Sequence, residues 1–434
     1  MTAHQAAGPS LWQTLSDSTR RRVQLRGPHE AEIVIVGAGI AGLSLALHLA
    51  NEGLRPVVLE AETPGAGALG ASAGIIAPQL VRDTPSGVLR KLGPTLGEAW
   101  LKLVAESGDY LFDLIKREGI HCDARPFGFI APTTSADSLD RLQTVRQEWS
   151  AFRDDLDVIG PAEIERRTGC KGYRAAIVDK SGGCLDPLRL AHGLAGRTEQ
   201  KGVTIFDDSR VLELNQTGNR WLLKTQAGSI TADKVVLCAN GGNDLFPGLQ
   251  QTVLPMHIYE MATEPVSTEM RKQVLPGGEC MTDMELDIFS IRYAAENRLV
   301  TAYPVTRSQT LEQVETQVNR RLEQMLLHPH PVRISRLWHG TAWINSSLLP
   351  RIVQIRRGLV AVQACNGRGI ATNLIIGREI ARMIVEDGSY RSELACPAPE
   401  RIPSFWINRK MLNAMMSTSL LLRRFRSLLT RSQT

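Results

Sequence analysis

The chain has 434 residues, of which 43% are hydrophobic, 22% charged and only 5% aromatic. This balance excludes collagen-like, mostly disordered and disulfide-scaffold classes, and the length allows two or three structural units around a large core. The formal charge of +5 sits in the last 34 residues, Arg401 to Thr434, with seven basic and no acidic side chains, so the remaining 400 (43 basic, 45 acidic) give no polyanion signal and nucleic acid is not an expected partner.

Residues 1–30 are polar and irregular apart from an apolar anchor at Leu11-Trp12. MTAHQAAGPSLWQ has no basic region ahead of an apolar one, so no secretory signal is expected. Ile33-Val34-Ile35-Val36 is a β-branched run typical of a buried parallel strand. It leads into Gly37-Ala38-Gly39-Ile40-Ala41-Gly42 and an apolar helical stretch through Ala50, which Asn51-Glu52-Gly53 closes. Pro56-Val57-Val58-Leu59 predicts a second strand, with Glu60-Ala61 at its end, completing a β-α-β unit. The run from Glu32 to Ala50 could be mistaken for a membrane span. Three glycines in its first half, with Glu32 and His48, argue against one.

Helical periodicity covers Val88 to about Leu142, broken by the strand-like Phe127-Gly128-Phe129-Ile130. Short strands are predicted at Val203–Phe206, Arg210–Leu214, Trp221–Thr225 and Lys234–Cys238. Residues 250–340 alternate strands with a helix near 308–327, and a strand at Gly358–Gln363 precedes Asn366-Gly367-Arg368-Gly369 and a last regular helix at about 370–386. Seven cysteines (122, 170, 184, 238, 280, 365, 396) are scattered without CxxC or Cys/His spacing. Neither a disulfide framework nor a metal site is supported, and a reducing cytoplasm is the expected compartment.

A glycine triplet alone is a weak motif, but its context here is specific: a strand before, a helix after, and an acid at the end of the next strand. Gly37 allows the tight turn, Gly39 lets backbone approach a pyrophosphate, and Gly42 lets the helix pack on the sheet. The helix start at Ile40-Ala41 offers N–H groups and the positive end of its dipole to phosphate. Glu60, 18 residues after Gly42, is placed to accept from ribose hydroxyls and disfavours a 2′-phosphate, so FAD or NAD is expected over NADP. An NAD enzyme would continue into further β-α-β crossovers. This chain instead has Gly65-Ala-Gly-Ala-Leu-Gly-Ala71-Ser72-Ala73-Gly74, a small-residue loop able to run along a flavin nucleotide.

These pieces, with Ser10-Leu11-Trp12, Gly182-Gly183-x-Leu185-Asp186-Pro187-Leu188, Arg210-Val211, Val235-Val236-Leu237-Cys238-Ala239-Asn240-Gly241, Ala262-Thr263-Glu264-Pro265, Trp338-x-Gly340 and Gly367-x-Gly369-Ile370-Ala371-Thr372, occur in one order. In that order the chain, over about residues 10–390, resembles the D-amino-acid-oxidase-like superfamily of FAD oxidoreductases. The nearest pattern is the γ-glutamylputrescine oxidoreductase and glycine/sarcosine oxidase type. The resemblance implies an α/β plus α+β chain in which a Rossmann-like FAD-binding domain (31–87, 180–247 and 338–390) is interleaved with an antiparallel-sheet substrate domain (88–179 and 248–337). A 1–30 extension and a 391–434 tail flank them. It further implies that Val211 touches the adenine half through its backbone and that Ala239-Asn240-Gly241 passes the pyrophosphate. Asn366, Gly367, Arg368, Gly369 and Ile370 would present N–H groups to the flavin pyrimidine edge.

There are departures. Where the family has Gly-Tyr-Ser-Gly-His-Gly, this chain has Ala364-Cys365-Asn366-Gly367-Arg368-Gly369; Ser347 stands where an Asp precedes Pro350; and the Arg-Asn after the small-residue loop is missing. Residues 341–352 contain no cysteine, so FAD is expected to be noncovalent.

The implied activity is oxidation of an amine or amino acid C–N bond to an imine, with O2 as acceptor and hydrogen peroxide formed. A dehydrogenase feeding a quinone or protein acceptor, or a flavin-binding subunit of a biosynthetic complex, are the alternatives. Arg292 either binds a substrate carboxylate or makes a structural pair. Arg368 either anchors an anionic substrate, steadies reduced flavin or is structural. His257, Tyr259 and Trp343 either line the pocket or pack, and Cys365 is expected as a small core residue. Residues 404–431 read as a basic amphipathic helix that lies on the inner face of a membrane, docks on a partner or packs on the body.

Overall fold

A computed structural model describes residues 7–16, 20–285, 288–302, 309–363, 365–386, 392, 394–396 and 400–411. In chain order, a short helix α1 (Leu11–Leu15) is closed by a reciprocal cap in which Ser10 Oγ accepts from Gln13 N and Gln13 Oε1 accepts from Ser10 N. Then β1 (Gly27–Val36), α2 (Ile40–Asn51) and β2 (Val57–Leu59) form the expected β-α-β unit, and β3 (Ile75–Ile76) follows the small-residue loop. Helices α3 (Pro85–Leu92) and α4 (Pro94–Arg117) lead to β4 (Phe129–Thr133), α5 (Ser138–Trp149), β5 (Leu156–Ile159), α6 (Pro161–Thr168) and β6 (Ala175–Asp179). Next, β7 (Gly183–Cys184) pairs back with β3, and α7 (Pro187–Gln200), capped by Asp186, returns to β8 (Thr204–Phe206). A meander of β9 (Glu213–Thr217), β10 (Arg220–Lys224) and β11 (Gly228–Leu237) precedes the long β12 (Leu254–Pro265). The rest is α8 (Thr268–Gln273), β13 (Cys280–Thr282), β14 (Ser290–Tyr293), β15 (Arg298–Ala302), α9 (Leu311–Met325), β16 (Ile334–Ile344), β17 (Arg351–Arg356), β18 (Leu359–Gln363), α10 (Gly369–Val385) and β19 (Ala395–Cys396).

Two sheets organise these elements. The first runs β19-β17-β18-β11-β1-β2-β8, with β10 and β9 branching from β11. Its strands β18, β11, β1, β2 and β8 are mutually parallel, as their buried Val/Ile/Leu runs require. Helices α2 and α10 pack on it together; the crossing is close because Gly377 meets Ser44, whose Oγ donates to Leu374 O at 2.5 Å. The second sheet runs β16-β12-β15-β14-β13-β4-β6-β5 and is antiparallel except for β13 against β4. One face packs on α9, and the other looks toward the first sheet's loops.

Three sequence expectations shift. The boundary drawn at 338 falls inside β16, which pairs with β12 along its length, so residues 338–344 belong to the second sheet. Helix α4, within the segment assigned to the substrate domain, packs on α10, with Arg378 lying 4.7 Å over the Tyr110 ring. The strand expected at 210–214 begins instead at Glu213, because Arg210 and Val211 remain outside the ladder at the cavity rim. Among the described residues no helix is long and apolar enough to cross a membrane. Of the 404–431 segment, residues 412–431 lie outside the described residues; within 404–411, Trp406 and Ile407 are about 60% exposed.

Candidate functional site

The carboxyl ends of β1, β11 and β18 open onto one cavity of about 1370 Å³, larger than the roughly 300–1,000 Å³ of most single-ligand pockets. Its floor starts at the first glycine turn. A Cβ on Gly42 would stand 2.0 Å from the Gly37 carbonyl oxygen, so only glycine lets α2 approach that turn. Above Gly39 nothing lies within 4 Å of an added Cβ, which leaves open backbone at the mouth of α2. No side chain caps the amides at the start of α2 or of α10, so the N-termini of both helices that border the cavity are available to an anion. Glu60 borders the cavity and already accepts from Ala38 N at 2.6 Å and Glu62 N at 3.0 Å. Burial raises its pKa above the usual carboxylate value.

The small-residue loop forms one wall and is pinned from behind. Trp338 Nε1 donates to Ala71 O at 3.0 Å, Trp12 Nε1 donates to Ser72 O at 2.8 Å, and Arg292 Nη1 donates to Gly74 O at 2.9 Å. Trp12 touches each of the other two donors: the indoles meet edge-on with centroids 6.3 Å apart, and the guanidinium lies 4.8 Å over Trp12. Gly74, at φ +68°, leaves no room for a side chain, since a Cβ would sit 2.2 Å from Leu185 O. This arrangement explains why Ser10-Leu11-Trp12 belongs to the site although it lies far from it in sequence.

The opposite wall is the start of α10. Asn366 N donates to Trp343 O, and Asn366 Oδ1 accepts from Asn345 N, which leaves Asn366 Nδ2 buried without a partner. Arg368 Nη1 donates to Leu80 O at 3.1 Å and to Gln79 Oε1 at 3.4 Å, which leaves Gln79 Nε2 likewise unpartnered. Asn373 Oδ1, one turn into α10, is the third orphan. Two donors and one acceptor in residues that line a single cavity complement the carbonyl oxygens and N–H of a flavin pyrimidine edge, so the residues present fit FAD. Burial pulls the Arg368 pKa down to about 10, which leaves it cationic near neutrality.

The second sheet forms the roof. Met256, Ile258 and Glu260 of β12, Ala302 of β15 and Ala342 of β16 border the cavity. Most of the residues singled out in sequence line it: Gly37, Gly39, Ile40, Ala41, Glu60, Ala61, Ala71 to Gly74, Val211, Ala239, Asn240 and Asn366 to Ile370. Gly42 supports the turn from behind. Gly241 does not line the cavity; the Trp343 ring occupies the space its side chain would need, and Gly242 lines the cavity in its place. Arg292 is also absent from the lining. It is 1% exposed, its Nη1 is committed to Gly74 and Leu185, and its Nε and Nη2 are buried without a partner, which corrects the carboxylate-anchor alternative and leaves the structural one. His257, Tyr259, Trp343 and Cys365 border the cavity, with Tyr259 also packed in the core on the far side of the roof. Cys365, expected as core, is half-buried with its Sγ 3.8 Å from Trp343 O.

Gln79, Asn373 and Glu260 were missed. Asn373 was findable as the residue four positions after Gly369 on the expected helix. Glu260 was findable as an acid in register with apolar Met256 and Ile258 on an alternating strand. Gln79 lies in a loop without a sequence signal.

The model of the family described as "FAD dependent oxidoreductase" (DAO) matches residues 32–383. Gamma-glutamylputrescine oxidoreductase of Escherichia coli is 27% identical over 360 residues, covering 82% of this chain and 84% of the relative. Among solved structures, L-proline dehydrogenase from P. horikoshii superposes with TM-score 0.71 at 17% identity, over 85% of this chain and 96% of its own. Glycine oxidase from Geobacillus kaustophilus superposes with TM-score 0.69 at 18% identity, over 84% and 97%.

Proposed function

This chain belongs to the DAO family of FAD-dependent oxidoreductases, and from that membership we propose that it oxidises the C–N bond of an amine or amino acid to an imine, with O2 as the terminal acceptor. Bound FAD supplies a hydride acceptor for the carbon beside the substrate nitrogen. Gly37, Gly39, Ile40 and Ala41, at the open start of α2, hold the pyrophosphate. Glu60 takes a ribose hydroxyl, Val211 meets the adenine half, and Ala239 and Asn240 flank the phosphates. Asn366 to Ile370, with Gln79 and Asn373, hold the flavin edge without a covalent link.

The observation that carries the reading is the join between cradle and roof. One cavity passes from the glycine turn to a sheet face whose Met256, Ile258, Ala302 and Ala342 are apolar. A neutral amine held there is stripped of water and oriented, and positioning is the protein's main share of a cofactor reaction. The E. coli relative, named for a γ-glutamylated diamine, supports an amine as substrate.

The test is the visible spectrum of the purified protein, followed by anaerobic addition of amines and amino acids and then air. Bleaching by one compound and rapid recovery in air support an oxidase. Bleaching with slow recovery favours a dehydrogenase, for which the exposed Trp406 and Ile407 beside Arg409 and Lys410 offer a contact with a membrane-borne acceptor. A flavin that nothing bleaches points to a non-catalytic subunit, and a protein that cannot take up FAD refutes the reading.

A further inference from the structure

We propose that Glu260 receives the substrate's ammonium group and takes its proton, so that the site selects alkylammonium ions and holds them as neutral amines. The inference rests on the amine-oxidation reading above. Its geometry is independent of that reading.

Glu260 pairs across the β12–β16 ladder with Trp338 and across β12–β15 with Ala302. Directly paired residues project from the same face of a sheet. Trp338 reaches Ala71 of the cofactor loop, so that face looks at the cradle and Glu260 projects from the roof toward it. Glu260 borders the cavity yet is only 6% exposed, and its Oε2 has no hydrogen-bond partner. A buried carboxyl without a donor is costly unless a ligand supplies one.

The charged groups around it are few. Arg292, one strand beyond β15 on the same face, is the charge that acts on it. Its Nη1 is spent on Gly74 and Leu185, while its Nε and Nη2 are buried without a hydrogen-bond partner and the residue does not border the cavity. Val300 and Ala302 on β15, Trp338 and Gly340 on β16, and Ala71 to Gly74 below carry no ionisable group. Burial pushes the Glu260 pKa up to about 8 against the pull of Arg292. A cationic amine entering near pH 7 therefore displaces one proton to solvent. Within the pair, the ammonium N–H bond breaks, an O–H bond forms on the carboxylate, and the electron pair stays on nitrogen. The nitrogen is then neutral, as hydride loss from the adjacent carbon requires. Arg292 lies outside the cavity lining, so the roof's cavity face offers an acid to a cation and no arginine or lysine to a carboxylate.

The experiment uses flavin-loaded wild type, E260Q and E260D, with butylammonium chloride as the probe under anaerobic conditions in weak buffer at pH 7. Flavin absorbance reads binding and a pH indicator reads protons. The expected result is release of about one proton per bound amine in wild type and none in E260Q. Binding to E260Q should be about 10- to 100-fold weaker, with E260D restoring part of both signals. Wild type that binds without releasing a proton overturns the assignment whatever the variants do. So does flavin-loaded E260Q with unchanged affinity and proton release, and if wild type is still bleached by an amine, amine oxidation itself survives. A wild-type flavin that no amine perturbs or bleaches overturns both.

Discussion

Nη1 of Arg292 stands 2.9 Å from the carbonyl oxygen of Gly74 and 2.6 Å from that of Leu185. One buried cation thereby ties the second sheet to the small-residue loop of the first, from the side away from the cavity. Its role is to fix where the loop runs, and through the loop to shape the cofactor's channel.

Replacing Arg292 with Met should lower stability by about 2–3 kcal/mol, the scale of buried hydrogen bonds from a charged donor, and should weaken FAD binding. In protein saturated with FAD, the KM for the best amine should change far less than in Glu260→Gln, because Arg292 acts on the amine only through its charge on Glu260. Thermal melts, flavin titration and steady-state kinetics check this together. A large rise in KM with normal stability would restore the direct substrate role.

The correction at Arg292 shows where sequence reading stops. Gly37, Gly39, Gly42 and Glu60 were legible because a β-α-β turn brings them together within one short stretch, and local spacing decides their geometry. Arg292 and Gly74 lie 218 residues apart, and whether a strand residue faces cavity or loop depends on pairing register. Trp12 was legible only as an anchor; its hydrogen bond to Ser72 needed the tertiary structure. The three orphan amide atoms were illegible for a sharper reason. Asn366, Gln79 and Asn373 become a site only because the second partner of each amide is already taken or missing, a property of the whole hydrogen-bond network.

The two helix-start glycines should separate by readout. Gly39 has ordinary backbone angles (φ −79°) and open space beside it, so Gly39→Ala should fold with little loss of stability and still bind FAD markedly less well. Gly42→Ala drives a methyl to 2.0 Å from the Gly37 oxygen and should cost the apoprotein about 1–3 kcal/mol as an overpacked site. Denaturant unfolding of the apoproteins, set beside flavin content, distinguishes them. Equal stability of both variants would refute the packing role of Gly42.

His48 provides a pH signature. It lies between α2 and α4 with Nε2 2.5 Å from Tyr110 Oη and Nδ1 2.6 Å from Ser44 O, and burial lowers its pKa below 6.5. The folded state therefore resists protonation while the unfolded chain accepts it. Below pH 6.5 the unfolded state binds more protons, so His48 makes stability fall as pH falls, by at most about 1.4 kcal/mol per unit. Buried acids such as Asp186 titrate in the opposite sense, but they cancel between wild type and His48→Gln. The stability difference between those two proteins should shrink from pH 7.5 to pH 5. A difference independent of pH would mean that the fold leaves the His48 pKa unshifted, and one that grows toward pH 5 would mean that His48 is protonated in the fold.

Arg368 should set the flavin's appetite for electrons. Its guanidinium is tied to Leu80 and Gln79, lies 5.7 Å over the Phe129 ring, and keeps its charge because its lowered pKa is still about 10. A fixed cation in a poorly hydrated site favours the electron-rich form of a bound ring system. Arg368→Met should lower the two-electron midpoint potential by about 30–60 mV, equivalent to roughly 1.4–3 kcal/mol. Arg368→Lys keeps the charge but puts a compact, more strongly hydrated ammonium in place of the guanidinium whose Nη1 reaches both Leu80 and Gln79, so it should hold the potential while binding FAD more weakly. Potentiometric titration of the three loaded proteins separates the charge from the hook. An unchanged potential in Arg368→Met, with FAD affinity reduced as in the lysine variant, would leave the hook as the residue's whole contribution.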